Sequence, residues 1–267
     1  MASLQKDADA LSNAAKQPKK NDKRHVRPLT TLQTMIELCT TRSDVALELS
    51  SLHATDIAAQ LIHDAIEAPQ RLGGMVPAVN LAMLPPSMML LATLAAHQDC
   101  HAWFTGSGAV AAIVAVLNLE TEAEEEAELI PLACSALANL AVPPPRLQTD
   151  DLSEAAGAVE GSTAVAKEIF AAGGLVPLIE LVQGSRSSAF PEQSLRNQQW
   201  AAAALCNFSQ HGERARQILI KRGALDAIAA GLKRLTDLAK NEPPPAVGAR
   251  FLEANPGILY YKRWILH

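Results

Sequence analysis

Four phrases built alike constrain this chain more than any other feature of its sequence. Each opens on glycine followed by small and branched apolar residues: Gly73-Gly74-Met75-Val76-Pro77, Gly108-Ala109-Val110, Gly173-Gly174-Leu175-Val176-Pro177 and Gly223-Ala224-Leu225. After each, apolar residues recur at helical spacing. Between Gly173 and Gly223 the pattern is complete, with GLVPLIELV, then NQQWAAAALCNFSQ, then ERARQILIKR. One such unit is too small to bury its own apolar stripes, so the repetition predicts a stack of units that shelter one another.

Two further phrases share a spacing, Ala136-Leu137-Ala138-Asn139-Leu140 and Ala204-Leu205-Cys206-Asn207-Phe208. Together with the glycine-started helices they resemble the armadillo repeat family, whose units have a short first helix ending in glycine, a second helix and a third ending in an ALxNL phrase. The resemblance runs from Gly108 to about Leu235 and is looser from Pro69 to Gly108. It implies an all-α fold, a right-handed α-α superhelix of the armadillo-type solenoid. The chain then divides into a basic tail (1–28), a degenerate helical cap or repeat (29–72), a short repeat (73–107), a repeat with acidic and Pro/Gly-rich inserts (108–172), a further repeat (173–222), the start of an incomplete one (223–240), and a Pro-rich linker with an aromatic tail (241–267).

Composition agrees with helices packed closely. Apolar residues make up 49% of the 267 and aromatics only 4%, which suits an Ala- and Leu-rich helical core. Cys39, Cys100, Cys134 and Cys206 are scattered through helical patterns and imply no disulfide framework, so a reducing compartment is expected. No apolar run is long enough for a membrane span, and no secretory signal is expected.

Charge is uneven. Residues 1–28 hold seven Lys or Arg against three Asp, which leaves −9 on the rest of a chain whose total is −5. The head reads as a solvated, disordered basic tail, and nucleic acid is expected to bind only there if anywhere. The acidic run Glu120 to Glu128 reads as a solvated loop or helix end.

Between Leu29 and Ala68 the apolar spacing predicts two or three helices, with Ser43 or Asp44 and Thr55 or Asp56 as N-caps. Pro77, Pro85, Pro86 and Pro177 are expected at helix starts, where the missing N–H costs little.

Family resemblance places the third helix of each unit along a concave groove, with the Asn of the ALxNL phrase facing a partner. The positions that match here are Asn139, Asn207 and, aligned through LLATLAA, Thr93. Such a row of side chains suits the backbone of an extended peptide, because an Asn amide both donates and accepts; bonding to a neighbouring helix's backbone is the structural alternative. The import receptors called importin-alpha are similar but carry Trp one turn earlier, where this chain has Met89, Ser135 and Ala203. Trp200 stands two turns before Asn207 and is read as a core side chain bordering that groove.

Enzymatic motifs are weak. Gly106-Ser107-Gly108 is half of a dinucleotide fingerprint with Ala111 in the third glycine's place, and there is no GxxxxGK[ST] or HExxH. His97, Cys100 and His101 lie close in sequence with no second ligand pair at metal-site spacing, so no metal or cofactor is expected. The sequence therefore points to a protein-binding scaffold or adaptor without chemistry of its own, with groove residues Thr93, Ser135, Asn139, Trp200, Ala203 and Asn207. A structural subunit of a ciliary or organellar assembly is the alternative, ahead of an import receptor or an enzyme. A cytoplasmic location is expected, with the nucleus or a cytoskeletal assembly as alternatives.

Overall fold

The computed structural model describes residues 26–71, 78–119, 128–143, 164–185 and 191–241, and these are helical with no strand among them. In chain order the helices are α1 (Val26–Thr41), α2 (Ser43–Ser51), α3 (Ala54–Arg71), α4 (Ala78–Ala95), a 3-10 helix (Gln98–Phe104), α5 (Ala109–Leu117) and α6 (Leu129–Leu140). They continue with α7 (164–171), α8 (Leu175–Gln183), α9 (Pro191–Ser209), α10 (Glu213–Lys221) and α11 (Ala224–Asn241). No single helix among the described residues is long and apolar enough to cross a membrane.

Packing follows sequence order. In one row α1, α4, α6 and α9 pack successively on each other. In a second row α3 packs on α5, and α8 on α11. Each of α3, α5 and α8 also packs on the long-row helix that follows it, α4, α6 and α9. A third row holds short helices: α2 packs on the 3-10 helix, and the Gly106 N–H beyond it donates to the Glu168 carboxylate of α7 at 3.1 Å. The chain thus forms three layers, α2–α4, 3-10–α6 and α7–α9, followed by α10 and α11.

What fixes each layer is a left-handed turn between its first and second helices. Gly108, Gly173 and Gly223 have φ of 78°, 80° and 80°, a conformation glycine adopts without penalty. At the matching place in the first layer stands His53, the one non-glycine with positive φ among the described residues, at 62°. Its imidazole Nδ1 lies 2.9 Å from the Asp56 carboxylate in the first turn of α3. A side chain fits there because the space around this turn is open: a Cβ on Gly108, Gly173 or Gly223 would meet nothing within 4 Å.

Counting from this turn, the core repeats. Four residues before it stand Leu49, Phe104, Ile169 and Leu219; eight before it, Val45, Cys100, Val165 and Ala215; all are buried. This i, i+4 pair is the inward stripe of each first helix. One residue after the turn every layer has a small residue, Ala54, Ala109, Gly174 or Ala224. A Cβ on Gly174 would press on Val114 and Ile169 at 3.1 and 3.2 Å.

Several expectations need correction. Pro85 and Pro86 do not start a helix; they lie inside α4. Two lost backbone bonds normally break a helix, but α4 is held on three sides by α1, α3 and α6, and this packing overrides local preference. Gly73, Gly74 and Pro77 lie outside the described residues. The N-cap of α2 is Arg42, without a side-chain cap bond; its guanidinium instead pairs with Asp44. Thr55 does not cap α3 but donates its hydroxyl to the Trp103 carbonyl at 3.2 Å. The basic head through residue 25, most of the acidic run and the tail from 242 lie outside the described residues.

Candidate functional site

Among the described residues no helix packs over one face of the long row. Its helices align through two equivalent bonds: the His97 Nε2–H donates to the Cys39 carbonyl of α1 at 2.8 Å, and the His211 Nε2–H donates to the Ala141 carbonyl beyond α6 at 3.0 Å. A carbonyl only accepts, so each imidazole must carry its proton on Nε2. Each histidine follows a long-row helix and reaches the end of the preceding one, which equates Glu37, Thr93, Asn139 and Asn207 along the row.

From that alignment the exposure pattern is regular. At the aligned position, and four and seven residues before it, the side chains are Glu37, Gln33 and Thr30 in α1; Thr93, Met89 and Pro86 in α4; Asn139, Ser135 and Leu132 in α6; and Asn207, Ala203 and Trp200 in α9. All twelve are exposed or half-buried. Two residues before the aligned position the row reads Met35, Leu91, Leu137 and Leu205, all buried. Spacings of three and four residues place the first set on one side of each helix, so the face runs across four neighbouring helices.

All six residues singled out from the sequence lie on this face. Thr93 turns its hydroxyl to its own helix, donating to the Met89 carbonyl at 2.8 Å. Asn207 donates through Nδ2 to the Ala138 carbonyl of α6 at 2.8 Å, so its amide ties two helices together. Asn139 is half-buried and makes no side-chain hydrogen bond among the described residues. Ser135 and Ala203 are half-buried. Trp200 is not a core side chain: it is 39% exposed, and the cost of truncating a buried Trp does not apply to it.

Sequence reasoning missed Met89 and Leu132 as surface and did not see the two histidines as ties. The signal was present: Thr93 to His97 and Asn207 to His211 have the same spacing.

Electrostatically the face is nearly neutral, with Glu37 the only charged group among those twelve residues. At its border Arg196 lies 4.0 Å from Glu128, both well exposed, and such a pair contributes little.

The His97–His101 segment does not converge on a metal. His97 and His101 direct Nε2 at different backbone carbonyls, those of Cys39 and Ala95, the latter at 2.9 Å. Burial pushes the Cys39 thiol up to about 12, with a further contribution from Cys100, and burial also raises Cys100. Both sulfurs are therefore protonated near neutral pH, poor as ligands or nucleophiles.

Comparison of the chain with protein-family models and with curated proteins gives no match.

Proposed function

We propose that the three layers form a right-handed armadillo-type superhelix whose long-row face is a groove for a partner protein, and that the chain serves as a scaffold or adaptor. The observation that carries this is the regular exposure of one face across α1, α4, α6 and α9, whose twelve side chains are uncharged polar or apolar except for Glu37. Low charge with Trp200 and Met89 present matches the centre of protein interfaces, where charged residues are depleted and Trp and Met enriched. An extended segment suits it best. Asn139 offers a donor and an acceptor to a peptide backbone, while Met89, Leu132 and Trp200 offer apolar surface to its side chains. Near-absence of acidic groups argues against a basic nuclear-import signal as that segment.

Affinity purification with mass spectrometry on the full chain tests this reading with Trp200→Glu and Asn139→Ala. Both substitutions are expected to strip the same partner from the wild-type set, and Trp200→Glu to leave the folding transition within about 0.5 kcal/mol, as for an exposed site. Asn207→Ala serves as the contrast, expected to lose about 1 kcal/mol of stability with its inter-helix bond. An unchanged partner set in both groove variants would remove the proposal.

A further inference from the structure

We infer that the chain's own segment 251–267 folds back onto the open side of the last layer and caps it. The evidence comes from comparing equivalent positions. Two residues after the left-handed turn stand Thr55, Val110, Leu175 and Leu225; the first three are 1%, 0% and 3% exposed, and Leu225 is 49% exposed. Six residues after the turn, Ala59, Val114 and Ile179 are buried and Ala229 is exposed.

In the earlier layers these positions are covered by the layer that follows. Thr55 bonds to the Trp103 carbonyl of the next 3-10 helix, and the Val114 methyl abuts the backbone at Gly174, which opens the next second helix. Leu225 and Ala229 therefore mark a seat built for one more helix. Ile220 on neighbouring α10 is 54% exposed, so the last layer holds the two most exposed large apolar side chains among the described residues.

The tail has the right chemistry and reach to fill that seat. Four of the ten aromatic residues in the chain, Phe251, Tyr260, Tyr261 and Trp264, fall within 251–267, the composition of a segment that buries a face rather than one that stays solvated. From Asn241 back to Leu225 is roughly 24 Å along a helix at 1.5 Å per residue. The linker 242–250 spans up to about 30 Å when extended. A second copy could set the same patch against itself, but the tail reaches Leu225 within one chain, where a short tether holds it at high effective concentration.

Photocrosslinking tests the assignment, with benzoylphenylalanine in place of Leu225 in the full chain. The expected product is an intrachain crosslink to a peptide within 251–267. A crosslink between two chains, or none to that segment, would overturn the proposal. Limited trypsinolysis gives a second readout: cleavage after Arg250, Lys262 and Arg263 is expected to be about tenfold faster in Leu225→Asp and in Ala229→Arg, as the undocked population rises. Equal rates in wild type and both variants would also overturn it. Both positions are exposed among the described residues, so neither substitution removes core packing.

Discussion

The first layer and the third share one backbone plan and almost no sequence phrase. In the third, Gly173 makes the left-handed turn, Gly174 lies tight against Val114, and GLVPLIELV announces the helix. In the first, His53 makes the same turn, Ala54 takes the small position, and Val45 and Leu49 fill the places of Val165 and Ile169. A layer is thus defined by one turn conformation, one small residue and one buried pair, not by glycine itself. Glycine is the cheapest residue for that turn; a histidine with a carboxylate three residues on is another solution.

The sharpest way to break the comparison is to empty the equivalent core positions. Leu49→Ala and Ile169→Ala are each expected to cost about 2–5 kcal/mol in urea unfolding, the range for buried aliphatic truncation. Losses of similar size would establish the two layers as equals; a loss under about 1 kcal/mol at Leu49 would make the first layer a loosely held cap.

Gly231 gives the next effect. Eight residues after the turn the other layers carry Leu61, Val116 and Leu181, all buried, whereas a Cβ on Gly231 would stand 2.7 Å from the Val182 carbonyl oxygen. Gly→Ala inside a helix normally stabilises by up to about 1 kcal/mol. Here the sign should reverse, with a cost of about 1–3 kcal/mol as α11 is pushed off α8. A stabilised Gly231→Ala would mean the two helices separate freely.

Exchanging the turn residues is milder. Gly223→His is expected to cost about 1 kcal/mol from left-handed strain. His53→Gly should stay within about 0.5 kcal/mol of wild type, relief of strain being offset by greater freedom of the unfolded chain. Equal costs for both would show that each turn is tuned to its own residue.

The smallest expected effect is on pH dependence. Burial holds the His101 imidazole below its ordinary value, so the folded state keeps it neutral while the unfolded chain takes up a proton. Stability from this group is therefore complete above about pH 6.5, the ordinary histidine value, and is lost as pH falls below it. His101→Gln should flatten the acid side of a stability-against-pH curve, and an unchanged acid limb would remove this account.

The sequence made the second and third layers legible because Gly108 and Gly173 stand at turns with positive φ, and because the helices that follow them are almost wholly apolar. It hid the first layer for the same reason: His53 carries no turn signature of its own. Pro85 and Pro86 misled because a proline's local cost is visible in sequence while the packing around α4 that absorbs it is not. The candidate face was legible through the ALxNL phrase as far as Asn139 and Asn207. What could not be read was that the Asn207 amide is used up between helices, since that depends on where a neighbouring carbonyl happens to end.

The histidine ties also bear on how this chain can change length. His97 and His211 anchor the exits of α4 and α9 to the preceding helix, and the next helix starts at once, at Gln98 and Glu213. At the matching place after α6 the residue is Pro143, with no side-chain donor to offer, and twenty residues separate it from the helix at 164–171. An anchored exit dictates where the following segment begins, so added residues there would pull the chain out of step with its neighbour. The exit of α6 lacks that histidine, and the longest stretch between described helices follows it.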